Sequence, residues 1–102
     1  MGVLNYLPGA NSSYSFKRFY AGNINVGATR AQFPNIACEM VQFKADPDNS
    51  GQVYIGGADV TTAIGWQLEA GDMTGWIPIS NVGLVYGIGS AASQKLAYMI
   101  IR

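Results

Sequence analysis

Hydrophobic positions alternate with polar ones over the second two-thirds of the chain, with a period of two rather than 3.6. Cys38-Glu39-Met40-Val41-Gln42-Phe43-Lys44 puts Cys38, Met40 and Gln42 on one face and Glu39, Val41 and Phe43 on the other. Neither face is wholly polar, the pattern of a strand covered on both sides. Asp46-Pro47-Asp48-Asn49-Ser50-Gly51 is a dense turn cluster: Pro presets φ, Asp and Asn bond the local backbone, and Gly accepts positive φ. With Gln52-Val53-Tyr54-Ile55 after it, residues 39–55 read as a hairpin. Gly56-Gly57-Ala58-Asp59 breaks the run, and Val60-Thr61-Thr62 reads as a resumed edge strand.

The same rhythm continues to the end. Trp66 to Glu69, Thr74 to Ile79, Leu84 to Ile88 and Gln94 to Ile101 are strand candidates separated by Gly, Ser and Asn turns. In the last, Leu96, Tyr98 and Ile100 share one parity. No segment has the caps and stripe of an amphipathic helix. Short strands at this spacing predict an all-β fold: a small, jelly-roll-like β-sandwich of about six to eight antiparallel strands. Residues 1–36 differ in texture. They hold half of the chain's 12 aromatic residues (Tyr6, Tyr14, Phe16, Phe19, Tyr20 and Phe33) among Gly, Asn and Ser, with no sustained period. The expected organisation is an irregular N-terminal arm, or the first strands, over 1–36 and the sandwich over 37–102.

Composition narrows the function. The 102 residues suffice for one domain with its own core. Only 12% are charged, about half the usual ~25%, while 49% are hydrophobic. The absence of His removes Ser–His–Asp and Cys–His chemistry and any histidine metal ligand. One cysteine, Cys38, makes neither an intrachain disulfide nor a cysteine zinc site, and without a basic neighbour it reads as an inert thiol. Net charge +0 argues against electrostatic nucleic-acid binding. The expectation is therefore a non-enzymatic protein without cofactor or metal.

Candidate motifs mostly dissolve under their own requirements. Asp46-x-Asp48-x-Ser50-Gly51 begins like a calcium loop, but Gly57 stands where the bidentate Glu belongs. Gly87-x-Gly89-x-x-Ala92 matches a dinucleotide fingerprint formally, yet a β-prone run follows where the helix should open. Asp59, Glu69 and Asp72 suit solvated turns better than an acid–base pair. The start carries no basic n-region, and Tyr6 replaces the Ser or Thr of a myristoylation signal. Met73 to Gln94 is uncharged and long enough to span a bilayer, but its Pro, Gly and alternation read as strands of a soluble protein. Trp66 and Trp76 admit two readings. They are subunit-interface or core anchors, or else a stacking platform for a glycan, with Asp59 binding hydroxyls.

The run from Phe43 to Thr61, FKADPDNSGQVYIGGADVT, resembles a segment of the form ADPDNxGxVYVGGxDVT in small β-rich virion proteins of tailed bacteriophages, the capsid decoration or cement type. Gln67-Leu68-Glu69-Ala70-Gly71-Asp72, Ile77-Pro78-Ile79-Ser80-Asn81, Val85-Tyr86-Gly87-Ile88-Gly89 and Gln94 to Ile100 follow the same pattern in order. The resemblance covers about 42–101. It implies a β-sandwich built for repetitive docking: a decoration protein on the outside of the virion, made in the host cytoplasm, that binds the major capsid protein as a dimer or trimer. Related modules serve in tails, necks and head fibres. On this expectation the arm supplies the contact. Tyr6, Phe16, Phe19, Tyr20 and Phe33 are anchors, and Lys17 and Arg18 meet an acidic patch; the alternative is that these aromatics fill the protein's own core.

Overall fold

The computed structural model describes residues 18–102. Among these residues eight strands make two four-stranded sheets. They are β1 (Phe19–Val26), β2 (Ala31–Gln32), β3 (Met40–Ala45), β4 (Val53–Gly56), β5 (Trp66–Leu68), β6 (Ile77–Pro78), β7 (Tyr86–Gly89) and β8 (Gln94–Ile101). A 3₁₀ turn, Val82–Leu84, precedes β7, with the Asn81 side chain accepting from the Gly83 N–H.

One sheet has the order β1-β8-β3-β6 and the other β2-β7-β4-β5, and every pairing is antiparallel. The chain crosses between sheets at nearly every connection, which is the strand order of a jelly roll. The protein is an all-β sandwich, as the alternation predicts.

The two-sided strands have a clear cause. β8 lies between β1 and β3, and its inward side chains Leu96, Tyr98 and Ile100 face Val53, Ile55 and Leu68 of the other sheet across a shared core. Val41, Phe43 and Ala45 add the inward row of β3, all essentially without solvent contact. Removing such side chains from water is the main favourable term in folding. Gly87 of β7 must stay small, because a Cβ there would meet Leu96 Cδ1 at 2.9 Å and Val26 Cγ1 at 3.2 Å.

Two local expectations change. Residues 39–55 are not a hairpin, for β3 and β4 belong to different sheets. The Asp46–Gly51 turn is instead a crossover held against β8. Asn49 Oδ1 accepts from the Lys95 N–H at 2.8 Å, and the buried Gln94 takes the Gly51 N–H at 2.8 Å. Val60 to Thr62 is not a strand; Val60 is a buried plug whose N–H donates to Gly57 O. Of the two readings of residues 1–36, an irregular arm or the first strands, the described part from residue 19 follows the second and carries β1 and β2 of the same two sheets. Phe19–Val26 pairs in unbroken register with the whole of β8.

Candidate functional site

Among the described residues no group of three or more Cys, Asp and Glu is placed to hold a metal. Of the acidic side chains weighed for catalysis, Asp72 serves a turn, its Oδ2 accepting from the Glu69 N–H at 2.9 Å, and Glu69 accepts from the Gln52 and Gln67 side-chain amides. Asp46 Oδ1 accepts from the Asp48 N–H at 2.8 Å, an Asx turn rather than a cation loop. Cys38 is half-buried and its Sγ donates to Ile79 O; desolvation raises its pKa above the ordinary thiol value, against a smaller lowering by Arg102. No helix among the described residues is long and apolar enough to cross a membrane.

What stands out is the outer face of the β1-β8-β3-β6 sheet. The register lines up Phe19, Ile101, Met40 and Pro78 in one row across all four strands. The next row is Ala21, Met99 and Gln42, with Trp76 just ahead of β6. Phe19 is 71% exposed, and Met99 and Trp76 are 38% exposed. Outward rows of a sheet that faces water are ordinarily polar, so an apolar row followed by one in which only Gln42 is polar needs an explanation. The Phe19 and Trp76 rings come together with centroids 6.5 Å apart. They belong to opposite edges of the sheet, so each leans across the strands between. Further along, the same face carries Lys44 and Lys95, with no acid on its strand positions.

At the Phe19 end, Arg18 Nη1 donates to the Tyr20 hydroxyl at 3.4 Å, and the Arg102 guanidinium lies over the Tyr20 ring, 5.3 Å from its centroid. The Arg18 hydrogen bond and then its charge hold the Tyr20 phenol below the usual tyrosine value; desolvation opposes them, and Arg102 adds a weaker lowering.

A second feature is a groove of about 530 Å³ at the edge where β5 and β6 face each other unpaired. Trp66, Ile77, Ile79, Leu84 and Val85 line it, with Phe43 and Ile55 at its floor.

The sequence-derived contact residues divide accordingly. Arg18, Phe19 and Tyr20 cluster at one end of β1, exposed and together. Tyr6, Phe16 and Lys17 lie outside the described residues. Phe33 is no partner anchor: it is 1% exposed and packs edge-on against Phe43 at 4.8 Å and Tyr98 at 5.8 Å. Its N–H donates to Val85 O, which pins the segment between the sheets. Trp66 and Trp76 are both exposed, but one lines the groove and the other lies against Phe19. They do not form a common stacking platform. Met40, Met99 and Ile101 escaped sequence reasoning, although their parity opposite Val41 and Ile100 was visible in the alternation.

No family model matches the chain, and no curated protein matches it. Among solved structures, a chain from the Bacillus endospore appendages, a family of disulfide-linked pili, superposes with a TM-score of 0.54 at 21% identity, over 83% of this chain and 83% of that one. The likeness is one of fold.

Proposed function

We propose that this chain is a structural subunit of a large particle, specifically a decoration protein that binds the major capsid protein lattice of a tailed bacteriophage and stabilises the head. The observation that carries the reading is the pair of rows on the outer face of the β1-β8-β3-β6 sheet that are apolar but for Gln42. A solvent-facing sheet with Phe19, Trp76 and Met99 exposed is a liability in a free protein and an asset in a tile. The low charge of the chain supports the same reading, because a subunit seated in a lattice keeps less surface in water. A decoration protein binds many copies to a repeating surface, so each contact can be modest while the coat as a whole is firm. The sequence resemblance over about 42–101 supports the choice of a virion.

Quantitative mass spectrometry of purified particles tests it. Hundreds of copies per particle are expected; tens or fewer would move the protein to a tail, neck or fibre, and absence would end the virion reading.

The fold likeness to an endospore pilus chain favours one second reading, a subunit of a surface filament. One cysteine per chain limits the analogy. A single Cys38–Cys38 disulfide joins two copies and can go no further, so a filament of this chain needs non-covalent contacts.

A further inference from the structure

The two sheets present four edges, and three are blunted. β2 and β6 are two residues long and β5 is three. On β6, Ile79 N–H donates to Glu39 O, so Pro78, one residue back, is the position whose N–H would face outward, and proline has none. The fourth edge is β1, eight residues long. Natural sheets protect a long edge with lysine, proline, a bulge or a covering segment. The sequence of β1, FYAGNINV, has no charge and no proline, and it pairs with β8 without a bulge. Among the described residues nothing covers its other side.

The hydrogen bonding of β1 determines what it can accept. Arg102 N–H donates to Arg18 O, so Arg18, Tyr20, Gly22, Ile24 and Val26 turn their N–H and C=O groups towards β8. The groups of Phe19, Ala21, Asn23 and Asn25 therefore point away from the sheet, into the free edge. We infer that this edge pairs with β1 of a second copy, antiparallel about a two-fold axis normal to the sheet at Gly22.

Only odd-numbered residues offer outward groups, so an odd residue must face an odd one. The register that engages all four sets Phe19 opposite Asn25 of the second copy and Ala21 opposite its Asn23. Each such pair exchanges two bonds, about eight in all. Gly22 then faces Gly22 across the axis on the inner side, where no Cβ stands in the way and each Tyr98 ring already lies over its own glycine. With no charge between Phe19 and Val26, self-pairing brings no like charges together along the strand. The alternative edges of a second copy are too short or lack the donor. The product is one eight-stranded sheet whose outer face carries the apolar rows of the two copies at opposite ends, each row running into the Asn23 and Asn25 rows of the other copy. Strand pairing depends only on β1, so it holds whichever particle the protein serves.

Sedimentation of the full 102-residue chain tests it, beside Asn23→Lys, Ala21→Pro and a deletion of residues 1–17. The wild type and the deletion should both be dimers. Asn23→Lys should be a folded monomer, since its side chain is already solvent-facing, and its thermal midpoint should lose the concentration dependence that dimerisation gives the wild type; Ala21→Pro should be a monomer if it folds. A monomeric wild type would overturn the proposal. So would a dimer that survives Asn23→Lys, or one lost on deleting residues 1–17, which would assign the contact to that segment. Copy number in particles leaves this result untouched, so the two proposals can fail separately.

Discussion

The rings of Phe19 and Trp76 come from opposite edges of one sheet and meet over its outer face with centroids 6.5 Å apart. Neither ring belongs to the core, which lies on the other side of the same strands. Phe19→Ser should therefore cost little stability, within about 1 kcal/mol, as exposed positions usually do. Urea denaturation of the variant checks this, and a loss of several kcal/mol would mean that the face is part of the fold rather than a contact surface.

Phe33 is the opposite case. It is fully buried and stacks edge-on with Phe43 and Tyr98. Phe33→Ala should cost about 3–5 kcal/mol through lost burial and the cavity left behind. A chemical melt reads it directly, and a cost near zero would return Phe33 to the surface.

Gln94 fastens the crossover loop to the sheet. Its Oε1 accepts from the Gly51 N–H at 2.8 Å, and its Nε2 donates to Ala92 O at 2.8 Å and Ser50 Oγ at 3.1 Å. Gln94→Leu keeps the volume and strands these partners, so it should cost about 1–3 kcal/mol. Amide exchange should also speed up at Gly51 in particular; unchanged protection there would show that the loop is held by other means.

Tyr20 gives a pH signature. The hydrogen bond and charge of Arg18 favour its phenolate, so the folded protein should ionise Tyr20 below the ordinary tyrosine value of about 10. A lowered value means that proton release favours the fold as pH rises through that window, but the group is exposed and the effect is read best as a titration. Carbon NMR of the labelled ring should show the midpoint rising in Arg18→Ala. An identical midpoint in the two proteins would remove Arg18 as the cause.

The parts of the fold legible in the sequence were those whose signal is local. β3 and β8 alternate because each contributes a full inward row, Val41-x-Phe43-x-Ala45 and Leu96-x-Tyr98-x-Ile100. β1 obeys the same parity with Tyr20, Gly22, Ile24 and Val26, but Gly22 breaks the apolar row because the Tyr98 ring fills its place. The Asp46–Gly51 turn looked like a hairpin since turn chemistry reports bending, not which strand comes next to which; the choice of β8 as partner of β3 is a contact between distant residues. Phe33 sits in a Pro-flanked irregular stretch, where only the second sheet reveals that it is core. The apolar outer face was half legible, as apolar residues on both parities, but which parity stays exposed depends on the sandwich.

The central claim is that the outer face of the β1-β8-β3-β6 sheet seats the protein on a repeating lattice. Its most direct test is occupancy on capsids that lack the chain, comparing wild type with the Phe19→Ser, Trp76→Ser double variant at matched folded concentration. The account predicts near-saturation for the wild type and a drop of at least about tenfold in affinity for the variant, since aromatic hot spots are commonly worth 2 kcal/mol or more. Equal occupancy by the two proteins would contradict it.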